Sequence, residues 1–336
     1  MYRITNSHKR NLLLTYTKTL HMDVFLYKFY YHGKGSELFK IRIVNAILCI
    51  FTLGLYYPWA KARTLEYLYS QTTFKEEPLA FTGTGKEMFR GFLKLIVIFI
   101  AFYAFIMFYS LYISKVWAIL IGYLLIASIV PLAVHGFFRY RMSKTKWQGI
   151  NFRYEGQLGE LYSIFLKGTF FTIITLGIYG AWLSMNLRRY VLSNIYIGNA
   201  KVNYMGEGSD YFWINLKGYM LTWITLGIYF FWWQKDLYDF FVANTNLTMD
   251  DKMVIIKSNV KGIDFAGMLL GNALIILFTL GLGLPWAITR KLQFYSKHID
   301  MYGDLDFDKL QQLASKEYND ATGDDMAGVL DIGTII

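Results

Sequence analysis

Residues 175–182 read Thr175-Leu176-Gly177-Ile178-Tyr179-Gly180-Ala181-Trp182, and the same pattern stands at three other places in the chain. The others are Thr52-Leu53-Gly54-Leu55-Tyr56-Tyr57-Pro58-Trp59, Thr225-Leu226-Gly227-Ile228-Tyr229-Phe230-Phe231-Trp232 and Thr279-Leu280-Gly281-Leu282-Gly283-Leu284-Pro285-Trp286. In each copy Trp lies five residues after Gly, an aromatic (Tyr67, Tyr190, Phe240, Phe294) lies thirteen after it, and an acid (Glu37, Glu160, Asp210, Asp264) lies seventeen before it. Apolar drift does not keep several offsets aligned, so Gly54, Trp59, Gly177, Trp182, Gly227, Trp232, Gly281 and Trp286 mark a repeated structural unit.

Each unit reads as an apolar helix with its carboxylate near the N-terminus, where negative charge is favoured. The helix is broken at Thr-Leu-Gly and followed by a more amphipathic interfacial segment. Gly there lets the backbone turn or a neighbouring helix approach, so Val should disturb packing more than Ala at Gly177. Trp59, Trp182 and Trp286 are expected at headgroup depth, with anchoring shared among copies and Trp233 available beside Trp232. Short strand-like pieces close the units at 72–74 with 79–81, 195–197 with 201–204, and 253–256.

The flanking sequence sets the solvent. Of the 336 residues, 55% are hydrophobic, 19% aromatic and only 17% charged, and mean hydropathy is +0.30. Soluble domains carry about 25% charge, so lipid is the expected surroundings. Six charge-free runs, 43–60, 95–114, 116–138, 168–187, 218–234 and 265–289, reach or approach the roughly 20 residues that cross a hydrocarbon core. The reading is an all-α polytopic membrane protein. It has about six transmembrane helices, repeated helix plus interfacial-helix units, and short β hairpins at the membrane surface.

The membrane domain runs over 39–299, with units at 33–82, 156–205, 206–258 and 260–308. A degenerate unit at 83–155 lacks the motif and holds a plain helix pair. Residues 1–38 form a basic aromatic arm without the apolar core of a secretory signal. Residues 300–336 carry nine acids against Lys309 and Lys316 and read as a hydrophilic, partly disordered tail, open to a protein partner.

Orientation strains this scheme. The loop with Arg139, Arg141, Lys144, Lys146 and Arg153 is expected in the cytoplasm, and six single crossings would put Asn199 on the side opposite Ser143. Yet the connections after Trp59 and after Trp182 are both basic, whereas positive charge should gather on one side. Re-entrant units, entering and leaving by one face, are the alternative; their exposed backbone groups would need protein or water to cover them.

With the lead-ins Phe81-Thr82-Gly83-Thr84-Gly85 and Tyr204-Met205-Gly206-Glu207-Gly208, the repeated Leu-Gly-x-Tyr and Trp positions resemble the YjgN-like family of bacterial inner-membrane proteins. The resemblance covers residues 25–300, with Gly283 in place of Tyr in the fourth copy. It implies a multi-pass protein of the bacterial cytoplasmic membrane, of unknown function, and supplies no catalytic residues.

The residues themselves carry little chemistry. The five His are scattered and the single cysteine, Cys49, sits in an apolar run, so no metal site, no cofactor site and no catalytic constellation is indicated. Gly83-Thr84-Gly85-Lys86-Glu87 lacks the spacing of a phosphate loop and reads as a turn into a helix. The net charge of +10 suits anionic lipid headgroups, and with the charges lying between apolar runs no nucleic-acid partner is expected. Two functions remain: a membrane scaffold or lipid-interacting envelope protein, and a transporter or permease for a small solute. The latter rests on the broken helices, against which stands the lack of ionisable residues within the apolar runs.

Overall fold

The computed structural model describes residues 25–250, 252–303, 307–310 and 318–329. Most of the arm expected at 1–38 lies outside them. What is described there, β1 (Phe25–Tyr27), β2 (Phe29–Tyr31) and the start of the first helix, closes the fold.

From β2 the chain runs through α1 (Gly35–Phe51), α2 (Tyr57–Ser70), β3 (Thr72–Phe74) and β4 (Glu77–Phe81). Two long helices follow, α3 (Gly85–Tyr112) and α4 (Lys115–Ser143), then β5 (Thr145–Trp147) and β6 (Ile150–Tyr154). The same order of helix, helix, strand, strand returns in α5 (Leu158–Ile174), α6 (Gly180–Leu192), β7 (Ile195–Ile197) and β8 (Ala200–Tyr204). It returns again in α7 (Gly208–Ile224), α8 (Phe230–Ala243), β9 (Thr245–Met249) and β10 (Lys252–Ser258). Last come α9 (Gly262–Phe278), α10 (Leu284–His298), β11 (Ile299–Gly303), a 3-10 turn (Phe307–Lys309) and α11 (Thr322–Val329).

The strands form one antiparallel sheet in the order β1-β11-β10-β9-β8-β7-β6-β5-β4-β3-β2. Its two edges, β1 and β2, are separated in the chain by Lys28 alone. Two trans peptide steps reach at most about 7.6 Å, so the edges must meet and the sheet curls into a barrel-like ring. Lys28 Nζ pins this seam to β11 through Asp300 at 2.9 Å. Burial opposes the charge on Asp300, but hydrogen bonds from Lys28, Asn259 and Tyr302 outweigh it and hold the carboxyl below its ordinary range.

The helices follow the same circuit: each packs on the next, and α10 returns to α1. Period-two burial in β8, with Ala200, Val202 and Tyr204 inward, shows how a short strand feeds the interior. Phe74, Trp147, Ile195, Val202, Leu247, Val254 and Met301, from seven strands, share one core with Phe307, Leu310 and Met326 of the C-terminal segment.

The expected all-α protein of six single crossings is therefore corrected on two counts. The strand pieces are not isolated surface hairpins; they join into one 11-stranded sheet. And the helices of four units do not cross singly. Each 17-residue first helix stops at Thr-Leu-Gly, the chain reverses, and a second helix of 13 to 15 residues brings it back to the same sheet. The runs 43–60, 168–187, 218–234 and 265–289 looked like spans because each includes both arms of such a hairpin. Among the described residues only α3 and α4, of 28 and 29 residues, are long and apolar enough to cross.

Candidate membrane-insertion face

The hairpin turn is built by its sequence. Thr52 Oγ1 donates to the Leu48 carbonyl and accepts from Tyr56 N–H, clamping the end of one helix to the start of the next. Thr175, Thr225 and Thr279 do the same. The following Leu is left-handed, with φ near 50° in all four copies, and Gly54, Gly177, Gly227 and Gly281 follow at φ 88°, 95°, 94° and 89°. Gly54 N–H bonds back to the Cys49 carbonyl at 2.7 Å and Leu53 N–H to that of Ile50, the pairing of a Schellman cap.

A leucine in that conformation costs about 1–2 kcal/mol, and glycine is the usual occupant. Nothing packs against these leucines to offset the strain: Leu53, Leu176, Leu226 and Leu280 are 95%, 94%, 95% and 93% exposed. Beside them Phe51, Ile173, Trp223 and Phe278 also lie bare. Four apolar tips so exposed and so consistently strained form one repeated surface, and its chemistry suits hydrocarbon.

Its depth follows from the charges. On α5 the last cation before the apex is Lys167, and on α7 it is Lys217, each ten residues before its Gly. Ten helical residues rise about 15 Å, half of a roughly 30 Å hydrocarbon core. In α3 the last charge is Lys94, leaving 18 apolar residues to Tyr112, and the α3–α4 turn carries Lys115 at its tip beside exposed Tyr112 and Trp117. By length and composition that hairpin is long enough to cross, and its tip carries aromatics and a cation. Of the basic residues that conflicted before, Lys144, Lys146, Arg188, Arg189 and Lys201 lie toward the sheet end of the hairpins, whereas Lys61 and Arg63 stand in the first half of α2, nearer the apex.

The repeated Trp residues have a packing partner that spacing did not reveal. A Cβ on Gly85 would stand 2.3 Å from Trp59, one on Gly208 2.5 Å from Trp182, one on Gly262 2.9 Å from Trp232, and one on Gly35 2.4 Å from Trp286. Each Trp thus wedges against the first turn of the next hairpin, and Trp286 on Gly35 closes the circle. Phe89, Phe212 and Phe39 flank Trp59, Trp182 and Trp286 at 4.9, 5.6 and 5.1 Å. Trp233 is buried against Gly218. Each wedge has its own partner, so the expectation that single Trp changes are shared out among copies does not fit this packing. The second Gly of each Gly-x-Gly lead-in at Gly35, Gly85 and Gly208 was the available signal, being constant where the Trp arrives.

At the hairpin apices a Cβ on Gly54, Gly177, Gly227 or Gly281 would meet nothing within 4 Å. The close-approach role expected for these glycines is corrected: they serve the positive φ. Gly177→Ala and Gly177→Val should therefore each lose a similar 1–2 kcal/mol or so. Gly208→Ala should lose more, since its Cβ would stand 2.6 Å from the Trp182 Cα, backbone that cannot swing away. Thermal unfolding of the three purified variants gives the order; a Gly177→Val far below Gly177→Ala would restore the close-approach role.

The acidic tail, expected to be solvated, is instead docked over its described residues. Asp324 is fully buried and meets Lys61 Nζ at 2.7 Å and Arg141 Nε at 2.9 Å; Asp325 meets Lys61 at 2.9 Å. Gly91 and Gly136 make room, because a Cβ on Gly136 would stand 2.6 Å from the Gly323 Cα. Burial pushes the Asp325 carboxyl up to about 6, against the pull of Lys61. Lys144 bonds Glu87 and Asn319, and Arg139 lies 3.7 Å over the Tyr318 ring at a cleft of about 410 Å³. Among the described residues no three His, Cys, Asp or Glu side chains are grouped to hold a metal.

These features sit on a recognisable family. The family model described as "Bacterial protein of unknown function (DUF898)" matches residues 26–205 and 251–329, and the chain belongs to that family. It is 32% identical over 127 residues, 37% of the chain and 30% of the relative, to "Inner membrane protein YjgN" of Salmonella typhimurium. It is 31% identical over 157 residues, 47% of the chain and 37% of the relative, to the protein of that name in Escherichia coli O157:H7. The matched stretches thus span about a third of those relatives' length. No solved structure matches the chain.

Proposed function

We propose that the chain is a lipid-organising protein of a bacterial inner membrane, anchored by the α3–α4 pair and inserted by its other four hairpins into a single leaflet. The observation that carries this is the set of four leucine apices, strained and more than nine-tenths exposed, which in α5 and α7 lie about half a bilayer beyond the last cation. The relatives' names support the inner membrane. The basic sheet end supports a cytoplasmic orientation, with Lys115 on the far side. Four hairpins that displace lipid from one leaflet and not the other act as a wedge, expanding that leaflet and bending or locally thinning the bilayer.

The packed interior favours this over solute transport. A path through the sheet would have to pass Phe74, Trp147 and Phe307, whose rings meet edge to face at 4.8 to 6.4 Å. Reconstitution of the full chain into vesicles of phosphatidylethanolamine and phosphatidylglycerol, imaged by cryo-electron microscopy, tests the wedge. Smaller or tubulated vesicles at rising protein density are expected. Fully inserted protein with vesicle shape unchanged, or specific solute flux through it, would contradict the reading.

A further inference from the structure

We infer that the cleft between α5 and α6 is a binding site for the headgroup of an anionic glycerophospholipid, an inference that rests on the leaflet insertion proposed above. The cleft has a volume of about 620 Å³ and carries three cations, Lys167 from α5, Arg189 from α6 and Lys201 from β8, and no carboxylate lines it. Lys167 has no ion-pair partner among the described residues. Arg189 spends one N–H on the Gly206 carbonyl at 2.7 Å, which fixes its guanidinium and leaves the other donors free. Asn186 and Ser193 add uncharged donors of the kind that suit ester and glycerol oxygens.

The other half of the cleft is apolar. Phe171 and Tyr179, 5.3 Å apart, continue it toward the Leu176 apex, and Ile164 lines it on the other side of Lys167. A free phosphate would need only the basic end. A lipid lying along the hairpin fills both, its phosphate among the cations and an acyl chain on the aromatic pair. Depth agrees: Lys167 stands about 15 Å from the apex, near the level where hydrocarbon gives way to phosphate.

The neighbouring hairpin provides a control within the same chain. Four and seven residues after Trp182 stand Asn186 and Arg189; four and seven after Trp232 stand Asp236 and Asp239. The α7–α8 hairpin keeps a lysine, Lys217, at the position of Lys167, but Asp239 pairs with Lys235 at 2.6 Å, and carboxylates occupy the positions that would meet a phosphate. The anion-selective character belongs to α5–α6.

The test uses the full chain in detergent micelles and in nanodiscs. Binding of a fluorescent phosphatidylglycerol is measured against phosphatidylcholine and against inorganic phosphate as competitors, for wild type, Lys167→Gln/Arg189→Gln/Lys201→Gln, each single substitution and Lys217→Gln. Saturable phosphatidylglycerol binding is expected, with the triple variant weaker by about tenfold or more and Lys217→Gln within about twofold, since a charge-assisted hydrogen bond is worth about 1.5–3 kcal/mol. If the triple variant unfolds, graded losses in the singles, each with an unchanged thermal midpoint, carry the same result. Equal binding of both lipids, or unchanged binding in the variants, would overturn the site. Displacement by inorganic phosphate at matched concentration would overturn the lipid assignment. A bilayer-centre quencher acting on a fluorophore at Leu226 separates the two readings: no quenching overturns insertion and this site together, whereas quenching with unselective binding overturns the site alone.

Discussion

Changing Leu53, Leu176, Leu226 and Leu280 together to Asp is expected to expel the four hairpin apices from the membrane while the chain stays anchored by α3 and α4. Near the bilayer centre a carboxylate costs about 2.5–3.5 kcal/mol on insertion scales, so four amount to roughly 10 kcal/mol or more. The same change at a water-exposed apex would cost almost nothing, because nothing packs there to lose. Quenching of a probe near each apex by bilayer-centre labels should vanish, and with it any remodelling of vesicles. The fourfold Leu→Met variant should keep both. Undiminished apex quenching in the Asp variant would remove the insertion account.

Asp324→Ala is expected to release the C-terminal helix and destabilise the chain by about 3–5 kcal/mol, because Arg141 would be left as a buried cation without its carboxylate and Lys61 would keep only Asp325. Asp320→Ala breaks the Lys94 pair, which is more than half exposed on both sides, and the exposed hydrogen bonds from Thr322, and should lose only about 1–2 kcal/mol. Hydrogen exchange over residues 318–329 reads both. The dock is also expected to depend on pH. The Asp325 carboxyl sits at about 6, above its ordinary value, so its protonated form is favoured when docked. That contribution is full below the undocked pKa and is lost as pH rises through 6, so protection of α11 should be greater at pH 5 than at pH 7.5. Asp325→Asn should remove the difference.

The contrast between these residues shows what could be read from sequence. The Thr-Leu-Gly spacing was visible because a hairpin turn needs a hydroxyl clamp and a positive-φ glycine at fixed positions, and both leave a local signature. Its meaning was not, because a charge-free run of 20 residues fits one span or two half-depth arms equally well. Under the insertion proposed above, the basic connections on both sides of a unit were the clue, since re-entry would put them on one face. The short strands were locatable from their local pattern, although Glu77 and Pro78, which read as turn residues, pair with Phe74 and Thr73 inside the strands and the turn is at Lys75-Glu76. Their union into one sheet depends on pairing across units, as of Phe81 with Thr145 and Tyr204 with Thr245. Long-range pairing of this kind has no local signal. The ion pairs of Lys61 with Asp324 and Asp325 join residues more than 260 positions apart and were hidden for the same reason.

Single-cysteine labelling from the two sides of the membrane tests the central claim most directly. In a Cys49→Ser background, cysteines are placed at Glu76, Gln148, Asn199 and Asp250, in the turns between paired strands, and at Lys115, at the tip of the long hairpin. The account predicts that an impermeant maleimide reaches the four turn positions from one side and Lys115 only from the other. Labelling of Asn199 from the Lys115 side would mean that α5 and α6 lead across the bilayer, and would contradict re-entry.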